Sequence, residues 1–226
     1  RYDAASRPSG ARCDIYDHSI AAYGRDPATG VARRPLDNVG VQYGLGALNA
    51  GVIDVEQFLD LNEKIGGFDG DGNVVTRRTA ADRTALAAAA RSGRLLHGTG
   101  LGAVPIIDYR NYLDDDPDGN VHVRFQSFSL RERLRRANGH VDNYVMLVED
   151  DRFRGTLSSP VYRAAFEQMD RWLTGIAEDR SPDPAVVKMR RHRPAGLSDT
   201  CWTRDAVPQP IVETQTRARG SRCEQI

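Results

Sequence analysis

An α/β fold is predicted for this chain from three observations. Two short apolar runs, 103–109 (AVPIIDY) and 143–149 (NYVMLVE), are rich in β-branched residues and read as buried strands. Amphipathic stretches over 123–137 and 160–177 follow them and read as helices. The resulting strand, helix, strand, helix order favours a parallel sheet joined by crossovers.

Residues 1–37 are rich in Gly, Pro, Arg and Asp and lack periodicity, so an irregular segment is expected there. Residues 38–102 read as a helical segment, a lid or cap, with helices over 38–50, 55–65 and 78–92. Asp54 with Gln57 three residues on forms a capping-box pattern. Gly66-Gly67 ends that helix, and Gly93 ends the Ala-rich one.

Residues 103–177 form the C-terminal part of a sheet domain. Phe125, Phe128 and Leu134 share one side of the helix over 123–137. The helix over 160–177 starts on Pro160 and carries the stripe Phe166, Met169, Trp172, Leu173 and Ile176. Two strands do not make a stable sheet, so the remaining strands are expected from polypeptide outside this sequence. Residues 178–226 read as an irregular tail.

The chain carries 31 basic and 31 acidic residues and a formal net charge of zero. That balance argues against a nucleic-acid partner and against attraction to an anionic membrane. No apolar run approaches the roughly 20 residues of a membrane span. Only Lys64 and Lys188 are lysines, so nearly all positive charge is Arg, read here as a compositional bias. The first residues, Arg1-Tyr2-Asp3-Ala4, lack the apolar core of a signal peptide. They are read as following a removed signal or as starting inside a longer protein.

Three cysteines are present. Cys201 and Cys223 close a short loop in a tail too polar to build its own core, and a disulfide is expected between them. Two unrelated thiols are the alternative. The bridge implies an oxidising compartment, secreted or periplasmic. Cys13 is left without an assigned partner.

Asp108 and Asp114 lie at and beyond the end of the first strand, where functional groups of open α/β sheets collect. Either carboxylate could orient a catalytic imidazole; capping a turn or pairing with Arg110 is the alternative. His140, flanked by Gly139 in a sharp loop, is the first choice of general base, with a plain surface histidine as the alternative. His122, directly after the Asp-rich turn, is the second. His18, His97 and His192 lack such a context. No Gly-x-Ser-x-Gly occurs, so a serine nucleophile would lie on other polypeptide. No cofactor motif is found, and no His or Cys spacing points to zinc. Asp69, Asp71 and Asn73 imitate the start of a calcium loop, but its twelfth position is Ala80 rather than Glu, so a turn is favoured.

Several stretches resemble a family of secreted bacterial proteins known as domain of unknown function 6351. They are Arg34–Leu45 (RPLDNVGVQYGL), Asp60–Gly67 (DLNEKIGG), Val104–Arg110 (VPIIDYR), Phe128–Leu134 (FSLRERL), Asn138-Gly139-His140 and Met169–Leu173 (MDRWL). The resemblance spans residues 10–224. It implies the C-terminal portion of a tannase- or depolymerase-like α/β hydrolase, with the nucleophile on an upstream polypeptide of the same precursor. The function so implied is secreted ester hydrolysis, with an ester as substrate. In an ordinary α/β hydrolase the histidine follows the last strand, whereas His140 precedes the run at 143–149. The rival expectation is a non-catalytic carbohydrate- or partner-binding module using Trp172, Trp202 and the Tyr/Arg surface.

Overall fold

A computed structural model describes residues 1–3, 5–12, 14–153, 156–216 and 220–224. Cys13 lies outside them. The chain divides into two compact units, Arg1–Leu95 and Leu96–Ile226.

In the first unit, helices α1 (Ile15–His18), α2 (Ile20–Tyr23), α3 (Leu45–Asn49), α4 (Val55–Lys64) and α5 (Arg83–Arg91) accompany a small hairpin of β1 (Gly67–Phe68) and β2 (Val74–Val75). The capping box is present: Asp54 accepts from the Gln57 amide, and the Gln57 side chain accepts from the Asp54 amide. The helix expected over 38–50 is confined to α3. The preceding residues turn instead, because the Asn62 side chain accepts from the Tyr43 amide and donates to the Tyr43 carbonyl. The Ala-rich helix starts at Arg83, not near 78, because Asp82 caps it by accepting from the Ala85 amide at 2.8 Å. Its alanines are explained by packing: Ala85 and Ala89 are buried, and α5 packs on α2.

The second unit is a four-stranded sheet in the order β3 (Ile106–Asn111), β4 (Tyr144–Glu149), β5 (Thr200–Trp202) and β6 (Pro210–Val212). β3, β4 and β5 are parallel, and β6 is antiparallel to β5. Helix α6 (Phe125–Asn138) connects β3 to β4; α7 (Pro160–Glu178) and α8 (Ala185–Arg191) connect β4 to β5. Side chains alternate across a strand, so β4 faces two cores. Tyr144, Met146 and Val148 pack with Leu134 of α6 and the cysteines, while Val145 and Leu147 pack with Ala165 and Trp172 of α7 and Met189 of α8. Among the described residues no helix is long and apolar enough to cross a membrane.

β3 begins three residues later than the apolar run. Pro105 has no amide to enter the ladder. Asn143 donates to the carbonyls of Leu101 and Val104, holding them in a turn, and its own carbonyl accepts the first rung from Ile106. Of the expected α7 stripe, Trp172 is buried and its indole N–H donates to the Met189 carbonyl at 2.7 Å, whereas Phe166 and Leu173 are exposed. On α6, Leu134 is buried and Phe125 exposed.

The tail is not irregular: it supplies α8, β5 and β6, so two strands expected from other polypeptide come from this chain. β5 pairs with β4 at only two positions, Leu147↔Thr200 and Val148↔Cys201. Side chains extend the ladder. Asp199 accepts from the Met146 amide at 2.9 Å, and the buried Gln215 donates to the carbonyls of Met146 and Thr200 at 3.0 and 3.1 Å. Arg131 binds Asp199 and the Gln215 carbonyl.

The expected disulfide is formed. Cys201 on β5 joins Cys223 with their Cα atoms 5.8 Å apart, and both are buried beside Leu134, Met146 and Ile211. Replacing both cysteines by alanine is expected to lower unfolding stability by about 3 kcal/mol. Urea denaturation with and without reductant checks this: the parent should lose that stability on reduction, and the variant should not respond.

Candidate active site

The sheet gives the unit a polarity. β3, β4 and β5 point the same way, so the segments that begin at residues 112, 150 and 203 leave from the carboxyl edge, where open α/β sheets bind ligands. Segments entering the strands lie at the opposite edge, about 20 Å away for six-residue strands.

Asp114 is on the carboxyl edge. Its two oxygens accept from the Arg124 amide and Nε at 2.8 and 3.0 Å. Arg124 is itself buried, donates to the Cys223 carbonyl at 2.9 Å, and lies 4.4 Å from the Tyr112 ring centroid. The guanidinium of Arg204 approaches the same ring at 4.1 Å and is held by a two-point pair with Asp115.

His122 occupies the same loop and is exposed. Its Nδ1 is 3.1 Å from Asn120 Oδ1, which also accepts from the His122 amide at 2.9 Å. The Asn120 Nδ2 donates to Asp116 at 3.1 Å, and that contact fixes the amide so that its oxygen faces the imidazole. That oxygen accepts a hydrogen bond from the tautomer with its proton on Nδ1.

The sequence-based expectations do not assemble as drawn. Asp108 is mid-strand rather than at a strand end, because β3 continues to Asn111. It accepts from Tyr144 Oη at 2.5 Å and pairs with Arg110 at 3.3 Å. Burial and the Asp108 charge push the Tyr144 phenol well above its ordinary pKa. His140 lies before β4, on the amino edge, across the strand length from Asp114. Its Nδ1 is 3.8 Å from Asp142, beyond hydrogen-bond reach, and Asp142 is held by Arg190 at 2.7 Å. Among the described residues neither His122 nor His140 bonds Asp108 or Asp114.

A closer His–carboxylate pair belongs to His192. Its Nε2 is 2.8 Å from Asp179, at the joint between α7 and α8. Asp179 also accepts from the Ser181 amide and from Arg191 at 2.9 and 2.8 Å, and Lys188 binds its carbonyl. α7 runs back across the sheet from the carboxyl edge, so this cluster lies at the other end and fastens two helices.

A second group at the carboxyl edge escaped the sequence reading. Glu149 ends β4, is buried, and accepts from Tyr109 Oη and Ser159 Oγ. Ser159 also caps α7, and the Tyr109 ring lies 4.8 Å from that of Tyr162. Burial, then the Glu149 contact, raises the Tyr109 phenol pKa. The available signal was one acidic residue closing an otherwise apolar strand.

Asp69, Asp71 and Asn73 form the loop of the β1–β2 hairpin. Asp69 accepts from the Asp71 and Asn73 amides and the Asn73 side chain, while Asp71 pairs with Arg12 at 2.8 Å. These carboxylates are spent on the turn and on Arg12. Among the described residues no group of three or more His, Cys, Asp or Glu side chains could hold a metal ion.

A family model described as a tannase-like family of unknown function (DUF6351) matches residues 1–226. The chain belongs to that family. No curated protein and no solved structure matches it. The family is tannase-like and of unknown function, and the mixed sheet with helices on both faces is consistent with an α/β fold.

The Asp179 cluster makes a testable statement about pH. Its carboxyl is held well below the ordinary value, first by Ser181 and then by His192. A depressed folded-state pKa contributes stability above the unfolded value near ~3.9, and that stability is lost as pH falls through the folded value. Asp179→Asn should therefore lower Tm at neutral pH, and the gap to the parent should close as pH drops below about 4. Calorimetric scans across that range check it.

Proposed function

We propose that this protein is an extracytoplasmic carboxylic ester hydrolase of the serine type. This chain provides the histidine, and an upstream polypeptide of the same precursor provides the nucleophile. Family membership supports the reaction class. The Cys201–Cys223 disulfide supports the oxidising compartment.

The observation that carries the residue assignment is the Asp116–Asn120–His122 chain on the carboxyl-edge loop. With Nδ1–H donated to an amide oxygen, Nε2 is the basic nitrogen. It would take the proton of the attacking hydroxyl and return it to the leaving alcohol. An amide oxygen serves this orienting purpose in cysteine proteases, where Asn replaces the aspartate of the triad. Asn120 is then a positioning residue. Asp114 acts one step further out, binding Arg124 and so holding the far end of the loop. His140 has no part in this reading.

The assay is hydrolysis of an aryl ester by the full-length protein. His122→Ala should cost at least about 10^3-fold in kcat with Tm unchanged, the range for loss of a general base. His140→Ala should stay within about tenfold of the parent. Asn120→Ala should lower kcat and move the pH profile, because the imidazole loses its fixed tautomer. The reverse ranking of the two histidines would return the role to His140.

A further inference from the structure

The first unit contains a cleft of about 620 Å³ that the proposed hydrolysis does not use. Its size falls within the ordinary range for small-molecule sites. Leu36, Phe68, Val75 and Tyr43 give it apolar walls, and Arg77 stands at its lining.

The walls are tied together before any ligand arrives. Asn38 donates to the Gly66 carbonyl at 2.9 Å and accepts from the Thr79 amide at 2.8 Å. Thr79 Oγ1 accepts from the Phe68 amide at 2.8 Å and lies 3.1 Å from the Phe68 carbonyl. Arg78 reaches the carbonyls of Asn38 and Asn62 at 3.0 and 2.7 Å. The close approach at the floor requires glycine: a Cβ on Gly66 would lie 2.0 Å from the Val75 carbonyl oxygen, and one on Gly67 2.4 Å from the Thr79 amide. A cavity with fixed walls binds without the cost of ordering them.

The ties consume Asn38, Arg78 and Thr79, and the Asp37 and Asp69 carboxylates of the lining are held by backbone amides; Arg77, the Tyr43 hydroxyl proton and the Thr76 hydroxyl remain. Arg77 is exposed, and no hydrogen-bond or ion-pair partner is found for it among the described residues. Tyr43 Oη accepts from Asn38 at 3.3 Å, which leaves its own proton to donate. Phe68 is 62% exposed, and its amide and carbonyl are both tied to Thr79 Oγ1. One unpaired guanidinium and one hydroxyl donor beside an exposed ring suit a flat apolar molecule bearing one carboxylate.

We infer that the cleft between the β1–β2 hairpin and residues 34–43 and 76–80 is a binding site for a small aryl carboxylate, with Arg77 and Tyr43 holding the carboxylate and Phe68, Leu36 and Val75 the ring. The site is built from residues of the first unit alone, and its occupancy does not depend on ester hydrolysis.

The test uses 2-naphthoate with the full-length protein, followed by titration calorimetry, and naphthalene-2-carboxamide as the uncharged control. Saturable naphthoate binding is expected, with the amide at least tenfold weaker. Arg77→Gln should weaken naphthoate at least tenfold and leave the amide and Tm unchanged, since Arg77 ties down nothing else. Phe68→Ser should weaken both ligands. Absence of saturable binding at millimolar naphthoate, equal binding of acid and amide, or an Arg77→Gln variant that binds like the parent would each overturn the assignment.

Discussion

The second unit depends on β4 being buried on both faces and paired on both edges. All six of its residues, Tyr144 to Glu149, are buried. Each large apolar side chain so buried is worth about 1.5–3 kcal/mol, and that gain is available only if something covers each face. Leu134 of α6 closes one side and Trp172 of α7 the other. The edges are less even. β3 matches β4 over six positions, whereas β5 matches over two and relies on Asp199 and Gln215 to satisfy the remaining backbone groups. A buried strand with unpaired amides would forfeit much of what its side chains gain, so those two polar residues are as necessary to the core as the apolar ones.

That asymmetry explains which parts of the fold were legible. Val145-Met146-Leu147-Val148 is an apolar run long enough to announce a buried strand, and Trp172 falls on a helical stripe. β5 and β6 are three residues each, one of them beginning with Pro210, and no periodicity is readable over so short a span. What makes them strands is tertiary: the disulfide at Cys201 and the side chains of Asp199 and Gln215. The late start of β3 is of the same kind. It is set by Asn143, some forty residues away in the sequence, reaching the carbonyls of Leu101 and Val104.

The candidate site was half legible. A parallel strand has a direction, so a loop that follows it lies at the carboxyl edge, where the proposed site is, and a loop that precedes it lies at the amino edge. His122 follows β3 and His140 precedes β4, and this order can be read from the sequence once the strands are placed. The flanking Gly139 drew attention to His140, but that glycine serves the helix: it ends α6 in the left-handed conformation at φ 76°. The Asn120 contact was not legible, because an asparagine two residues from a histidine in an Asp-rich loop has many ordinary explanations. The His192–Asp179 pair is the converse lesson. Its 2.8 Å geometry is better than that of any other histidine–carboxylate pair among the described residues, yet its position at a helix joint gives it a structural role.

The arginine bias acquires a physical role in the same setting. Long irregular segments leave carbonyls without ladder partners, and a guanidinium can satisfy several at once in a fixed plane. Arg152 binds the carbonyls of Arg204 and Asp205, Arg193 those of Asp142 and Leu197, and Arg78 those of Asn38, Val41 and Asn62. Arg124 and Arg131 anchor the tail to α6 and the loop before it through the carbonyls of Cys223 and Gln215. The two lysines stand where one point of attachment is enough. Lys64 forms an exposed pair with Asp60 one turn away, and Lys188 meets the single carbonyl of Asp179 at 2.8 Å. Composition alone would distribute arginine without regard to geometry. At the clamps named, an Arg-to-Lys exchange would strand a backbone carbonyl, whereas the reverse exchange at Lys64 would strand none.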